Sequence, residues 1–472
     1  MGVFRDPPSS RNQMILMPQS LDEMVGQEEP VRLLNEVMDR LDYSELERSY
    51  PGGGCPAYPP SVLVKILTFA YSVGQRSSRK IGEALRVDLR FIWLSEGLKP
   101  DFRTLARFRR EKREHFEKLF VQSVRLCQEL GLVVLWHVAV DGSKMESAAG
   151  RDSLWTAKRI EQERAAIREI LDEAESVDAA EDVEFGESDG TTLPEELKGV
   201  QARKERVDEA ESRLKECGKK MVSLSDPDSR QMHTRNGIRM SYNVQAAVDS
   251  ESQVVLGVRV SQDETDRAHL GVMLDEVYEN TGCKPDIVSA DKGYYSYSAL
   301  QGLEVRNQPG AIAVPKLPPG CEGPPDFGVA NFDYDAVNDT YRCPGGRLLQ
   351  FKSASQRAGS TYRVYVCVGC AGCVHRKECG SLKRDKRLNI NVTHELRERM
   401  KRFLATKEGT EAIGLRKEVA EPVFGQVKEN RRFRRFILRG LGGVVAETSL
   451  AFLAHNVLKA VAGVRFQAAL IS

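Results

Sequence analysis

The chain has 472 residues, and its 69 Lys and Arg against 68 Asp and Glu leave a formal net charge of +1. That length exceeds what one core usually organises, so about three or four structural units are expected. The even charge excludes recognition of a polyanion by bulk attraction, so such a partner would have to be met by local patches.

Helical periodicity runs from Leu21 to Tyr43, and Pro51-Gly-Gly-Gly-Cys-Pro56 breaks it with an expected loop. Ser61 to Tyr71 continues as an apolar helix, Ser77 is placed to cap a short helix through Leu85, and Asp88 to Leu94 forms another. This succession is a helix-turn-helix candidate. Asp101 then caps a single long helix through Leu130, closed by Gly131 in the left-handed cap position. Its early turns carry Arg103, Arg107, Arg109, Arg110, Lys112 and Arg113. Such a run is commonly a solvated face, and the reading preferred over it is DNA contact, through Arg107 and Arg110 in particular.

From Leu132 the pattern changes to the apolar run Val133-Val-Leu-Trp-His-Val-Ala-Val140, which reads as a buried strand ending on Asp141. Residues 155–176 and 197–222 read as a charged helical hairpin across a Glu, Asp and Gly-rich stretch near 178–193, expected to be mobile. Met240–Val248 and Gln253–Val260 form a strand pair, Asp263–Asn280 an amphipathic helix, and Pro285–Ala290 a short strand ending on Asp291. That order implies a mixed sheet. Prolines, glycines and cysteines interrupt it over 316–399, and helical pattern returns from about His394. The apolar stretch Leu441–Gly463 is long enough for a membrane span, but Glu447, His455, Asn456 and Lys459 make a buried core helix the better reading. No basic start leading into an apolar run and cleavage site is visible, so a cytosolic, nucleoid-associated protein with no membrane partner is expected.

Charge is sorted along the chain. Residues 151–220 are dominated by acidic side chains, whereas Lys428, Arg431, Arg432, Arg434, Arg435 and Arg439 face only Glu429 in their segment. Phe433 and Phe436, interleaved with those arginines, read as core or wedge residues. Ten cysteines are many for a cytosolic chain, where disulfides are disfavoured. Cys370-x-x-Cys373 with Cys379 and Cys343 suits a closed tetrahedral zinc site, with Cys367 and His375 as competing ligands and a set of reduced buried thiols as the alternative.

Each strand-ending aspartate taken alone is commonly a turn residue or helix cap. The local wording is more specific. Val-Ala-Val-Asp141-Gly-Ser-Lys, Val-Ser-Ala-Asp291-Lys-Gly-Tyr-Tyr and Glu421-Pro-Val-Phe-Gly-Gln-Val-Lys428 resemble, in order, the three catalytic segments of DDE transposases from bacterial insertion sequences. The likeness is nearest to the insertion-sequence group numbered eleven eighty-two, and Pro-Ala-Tyr-Pro-Pro, Gly74-Gln-Arg-Ser-Ser-Arg79 and Pro100-Asp-Phe-Arg-Thr resemble the domain preceding such cores. Where the wider superfamily has a Tyr seven and an Arg four residues before the glutamate, this chain has Gly414 and Lys417, with Arg416 one residue off.

The resemblance implies an α/β fold with a ribonuclease-H-like mixed sheet built from 131–153, 228–315 and 400–472. A helical DNA-binding domain (1–130), a helical-hairpin insertion (154–227) and a Cys-rich insertion (316–399) complete the expected organisation. It further implies a metal-dependent endonuclease and strand transferase. Asp141, Asp291 and Glu421 would hold magnesium or manganese, the ions that hard oxygen ligands favour. Lys428 and Arg431, Arg432, Arg434 and Arg435 would contact DNA, Lys428 from the helix face of Glu421 if the helix is regular. Because Pro422 cannot donate a backbone bond, Glu421 is expected at the start of a helix. Partners would be double-stranded DNA at terminal inverted repeats, target DNA and a second copy of the chain. A domesticated DNA-binding regulator and a nuclease without strand transfer are the competing readings.

Overall fold

The computed structural model describes residues 20–50, 56–185, 195–315, 327–328, 331–335, 338–357, 360–379, 385–391 and 393–471. Residues 51–55, where a loop is expected, and 186–194, within the stretch expected to be mobile, lie outside the described residues. Two compact units result: one of Met1–Leu132, Glu146–Ser229 and Gln426–Ser472, the other of Val133–Met145 and Arg230–Gly425.

The first unit opens with helices α1 (Leu21–Met24), α2 (Pro30–Asp39), α3 (Ser44–Arg48), α4 (Pro60–Ser72), α5 (Ser78–Val87), α6 (Leu89–Leu94), α7 (Phe102–Glu111) and α8 (Arg113–Glu129). Asp88 and Asp101 cap α6 and α7 by accepting from the amides of Arg90 and Thr104. Ser77 precedes α5 without a side-chain cap bond. Instead the neighbouring Ser78 hydroxyl meets the buried Arg109 guanidinium. The single helix expected over 101–130 is two, parted at Lys112. No glycine or proline breaks it; the Lys112 ammonium is drawn to Ser49, 3.0 Å from its carbonyl oxygen and 2.7 Å from its hydroxyl. Gly131, with φ 69°, takes the left-handed position after α8 that its sequence place requires.

Strand β1 (His137–Glu146) follows, then β2 (Leu154–Thr156), the helices α9 (Ala157–Phe185) and α10 (Glu195–Cys217), and β3 (Met221–Ser223), which pairs antiparallel with β2. The two helices and the short strand pair share an apolar cluster of their own, with Trp155, Ile160, Ile167, Val207 and Val222 at its centre.

The second unit continues through β4 (Arg230–Thr234), β5 (Gly237–Asp249), β6 (Val255–Ser261), α11 (His269–Thr281), β7 (Ile287–Ala290), α12 (Tyr297–Val305) and β8 (Gly310–Ile312). With β1 these strands make a mixed sheet in the order β4-β5-β1-β7-β8, β6 pairing with β5. β1, β7 and β8 run parallel, while β4, β5 and β6 are antiparallel. β1 departs from expectation in length. Asp141 lies within it, although pairing with β7 stops at Val140↔Ala290, so both aspartates sit where the parallel pairing ends. Helix α11 begins later than its apolar pattern suggested, because the preceding turn delivers the Asp266 carboxylate to Asn243 on β5.

A separate antiparallel sheet, β9 (Asp333–Asp335), β10 (Thr340–Arg342), β11 (Leu348–Arg357), β12 (Ser360–Cys367) and β13 (Arg387–Asn391), has its own small core around Leu349, Tyr365 and Leu388. Helices α13 (Thr393–Leu404) and α14 (Lys407–Gly425) complete the unit, and α14 packs on β5, β7 and β8.

The last helix, α15 (Leu441–Ile471), belongs to the first unit and packs against α2, α4 and α8 rather than joining the mixed sheet. It is the one helix among the described residues long and apolar enough to cross a membrane, and 78% of that apolar window is buried inside the protein. Glu447, Thr448, Ser449, His455 and Asn456 are buried on it, each with a hydrogen-bond partner. Glu447 Oε2 accepts from the amides of Ile437 (2.8 Å) and Leu438 (3.0 Å), and Oε1 meets Arg76 (3.2 Å) and the Tyr71 hydroxyl (3.4 Å). Asp226 and Asp228 accept from the amides of Gly440 and Leu441 and so cap the helix start.

Candidate active site

The register of β1 and β7 aligns Val140 with Ala290, so Asp141 and Asp291 leave adjacent parallel strands at the same level. Asp141 Oδ1 accepts from the amide of Gly142 at 3.0 Å. Asp291 opens a single 3-10 turn, Lys292–Tyr294, and its Oδ1 accepts from the amide of Gly293 at 2.7 Å. Each carboxylate is thus oriented by a backbone amide that follows it, that of Gly142 within β1 for Asp141 and that of Gly293 in the 3-10 turn for Asp291.

Glu421 comes to the same place from α14. Arg416, nearly buried one turn earlier on that helix, lies 3.7 Å from both Asp141 Oδ2 and Glu421 Oε1. Burial pushes the Asp141 carboxyl up from its usual 3.8 to about 6, with Arg416 and the Gly142 amide opposing the rise and Asp291 and Glu421 adding to it. The three acidic residues therefore share one electrostatic environment, with Arg416 supplying the counter-charge. Among the described residues no three side chains of ligand type stand close enough to grip a metal ion.

Pro422 does not start a helix. It lies inside α14, where its missing N–H would leave the Glu418 carbonyl unbonded. That carbonyl accepts instead from Gln253 Nε2 at 3.4 Å, so Glu421 stands near the end of a continuous helix. The regular helix stops at Gly425 and Gln426–Asn430 forms a π turn. Lys428 lies in that turn, so the two-regular-turn spacing expected from Glu421 does not hold.

The basic segment after it is only partly a free surface. Arg431 turns inward to His455 Nδ1 at 3.1 Å, and burial lowers its pKa to about 10. Arg435 donates to the carbonyls of Ser147 (2.9 Å) and Ala149 (2.6 Å). Both are expected on DNA; Arg431 is held inward, whereas Arg435 makes these contacts from an exposed position. Arg432 and Arg434 are exposed, Arg434 paired with Glu429. Arg76 holds the carbonyls of Arg432 (2.9 Å) and Arg435 (2.7 Å), which accounts for the Gly-Gln-Arg segment of the sequence. Phe433 and Phe436 are core residues, 1% and 2% exposed. On α7, Arg107 and Arg110 are exposed while Arg109 is buried against Tyr71 and the Arg76 carbonyl.

The described thiols of the Cys-rich region are joined by no disulfide. Cys343 closes a tight hairpin in which its sulfur accepts from the Arg347 amide at 3.3 Å, and Cys370 sulfur accepts from the Lys386 amide at 3.4 Å. A Cβ on Gly345 would lie 3.7 Å from the sulfurs of both Cys343 and Cys373 and 3.2 Å from His375 Cδ2, so all three side chains border that glycine. Cys367 is pushed up to about 12 by burial and by its neighbours Cys370 and Cys343. Cys379 sulfur faces the Arg376 carbonyl at 3.7 Å.

Two family models match the chain: a transposase DDE domain over residues 342–461 and a transposase domain (DUF772) over residues 19–111. Together they support an insertion-sequence transposase. The DDE-domain match takes in Glu421, Lys428 and the cysteines from 343 to 379, and leaves Asp141 and Asp291 outside it. The other transposase match spans α1 to α7, hence Arg107 and Arg110. No curated protein matches the sequence. Sequence reasoning had set Arg416 aside because it stands one position from the superfamily arginine. Lys144 closes the first motif segment but is assigned no role there, and Asp266 has no signal in the sequence beyond the glycines beside the two aspartates.

Proposed function

We propose that this chain is a DNA transposase, built on a ribonuclease-H-like sheet, that cuts the ends of a mobile element and joins the resulting 3′ hydroxyl to target DNA. The observation that carries this reading is the alignment of Asp141 with Asp291 at the end of the β1–β7 pairing, with Arg416 linking Asp141 to Glu421. The narrower likeness to the group numbered eleven eighty-two rests on the motif wording alone.

The donor set suits a hard divalent cation. Three carboxylates offer oxygen ligands, and the upward push that Asp291 and Glu421 exert on Asp141 is a repulsion such an ion would relieve. Magnesium or manganese held by Asp141, Asp291 and Glu421 would supply the polarisation of phosphate and the activation of an attacking oxygen. The chain's own groups do the orienting. The Gly142 and Gly293 amides fix the two aspartates where the β1–β7 pairing ends, and Arg416 keeps Glu421 directed at Asp141. Arg107, Arg110, Lys428, Arg432 and Arg434 are the cations assigned to duplex DNA at terminal repeats and target, with a second copy of the chain on the same DNA. Cys343, Cys370 and Cys373, with Cys379 or His375 as the fourth ligand, are assigned to a structural zinc.

The test is a cleavage and joining assay on DNA carrying inverted repeats that flank the coding region. Wild type is expected to release a 3′ hydroxyl and to form joined product. Asp141→Ala, Asp291→Ala and Glu421→Ala should each abolish cleavage while end binding persists, since they remove ligands rather than cations. Near-normal cutting by one of them removes that residue from the triad. Cutting without joining would favour the nuclease, and binding without either would favour the regulator.

A further inference from the structure

A further carboxylate, Asp266, lies beside the two aspartates and outside all three motif segments, although Lys144 and Tyr294, which join its network, belong to the first two. Asp266, from the turn between β6 and α11, gathers three donors on one oxygen. Lys144 Nζ lies 2.9 Å from its Oδ1, and Asn243 Nδ2 and Gln245 Nε2 each lie 2.7 Å from the same atom. Asn243 and Gln245 are two residues apart on β5 and so share a face, and both are fully buried. The Gln245 amide passes the chain on: its Oε1 accepts from the hydroxyl of Tyr294, which is also fully buried. Burial holds that phenol well above its usual range, so it stays a donor. Burial pushes the Asp266 carboxyl up as well, but the hydrogen bonds from Asn243, Lys144 and Gln245 and the Lys144 charge together outweigh it, hold the carboxyl below its usual range and keep it ionised.

Both ends of this network are tied to the acidic pair. Lys144 is three residues beyond Asp141 on β1, and Tyr294 three beyond Asp291. A Cβ on Gly142 would sit 2.8 Å from Asp266 Oδ1 and 2.5 Å from Gln245 Nε2, closer than atoms can pack. One on Gly293 would sit 2.8 Å from Asp291 Oδ1 and 3.3 Å from Asp266 Oδ2. The backbone behind each aspartate therefore lies close to the same carboxylate: a side chain at 142 would have to displace Asp266, and one at 293 would press on Asp291 itself and crowd Asp266.

We propose that Asp266 is a positioning residue that sets the spacing of Asp141 and Asp291 for a divalent cation, held in place by Lys144, Asn243, Gln245 and Tyr294. This rests on the transposase reading of the two aspartates. Removing groups that orient metal ligands from behind typically costs about 10- to 100-fold in metal affinity. Asp266→Asn keeps the shape but deletes the charge that pairs with the Lys144 ammonium.

The experiment is a Mn2+ titration of the full chain followed by electron paramagnetic resonance, paired with cleavage rates over the same Mn2+ range. Asp266→Asn is expected to weaken Mn2+ binding about 10- to 100-fold and to raise the half-saturating Mn2+ for cleavage, with the plateau rate largely recovered at saturation. Tyr294→Phe, which removes one hydroxyl and keeps the ring, should shift both in the same direction by less, and it serves if Asp266→Asn does not fold. Unchanged Mn2+ affinity in the variants overturns the proposal, and so does a lower plateau at unchanged half-saturation, the mark of a merely structural role. Wild type that binds Mn2+ but cuts no DNA refutes the transposase reading, while the resonance titration still decides the role of Asp266. Wild type that binds no Mn2+ overturns both.

Discussion

Asp141→Asn should make the metal-free protein more stable, and only above a defined pH. In the fold the Asp141 carboxyl titrates at about 6 rather than 3.8, chiefly because burial disfavours its charge. At about 1.36 kcal/mol per pKa unit, ionised Asp141 costs the fold about 3 kcal/mol. The sign follows from proton counting. Between 3.8 and about 6 the native state binds more protons than the unfolded state, so wild-type stability falls as pH rises through that window. Asparagine has no such charge to bury. Wild type and variant should therefore coincide near pH 4 and diverge to a gap approaching about 3 kcal/mol by pH 7.5, several degrees in melting temperature for a unit of this size. The measurement is thermal or urea unfolding in EDTA across that pH range. Magnesium should then raise the wild-type midpoint and leave the variant nearly unmoved. An offset that does not change with pH, or a variant no more stable than wild type at pH 7.5, would refute the assignment of Asp141 as a desolvated carboxylate facing Asp291 and Glu421.

Elemental analysis of reduced, purified protein should find about one zinc per chain, lost in Cys370→Ser and Cys373→Ser; none in wild type would leave ordinary thiols. Arg432→Ala with Arg434→Ala should flatten the salt dependence of DNA binding by roughly 0.9 per lost phosphate contact and leave the melting temperature unmoved. Arg431→Ala should do the reverse, costing about 2 kcal/mol of stability through its buried contact with His455. Glu447→Ala should destabilise the first unit by roughly 3–5 kcal/mol, because Arg76 and two backbone amides lose their buried acceptor; hydrogen exchange at Ile437 and Leu438 would localise the loss.

What the sequence made legible was what local chemistry decides. The apolar runs ending near Asp141 and on Asp291 are legible as strands because both are rich in β-branched residues, although β1 runs on through Glu146 where only β7 ends in a turn. The helix caps at Asp88 and Asp101 form for the same local reason. Misreadings arose where a distant residue intervened. Lys112 leaves the helix for Ser49, and Pro422 is tolerated because Gln253 serves the Glu418 carbonyl. A run of arginines shows charge but not direction, so the inward turn of Arg431 had no signal. Arg416 carried a weak one, being an arginine within two turns of the glutamate, and only the fold shows it between Asp141 and Glu421.

The seating of α15 among the first helices governs how a nascent chain can mature. Asn456 on α15 donates to Ser123 on α8 across 333 residues of sequence. At roughly 5–20 residues per second a ribosome needs on the order of 15–65 s to cover that span. Through that interval α4 and α8 present apolar faces whose partner has not been made, and a messenger broken before α15 yields helices that cannot close their core. Completion of the amino-terminal helical unit is therefore coupled to reading the gene through to α15.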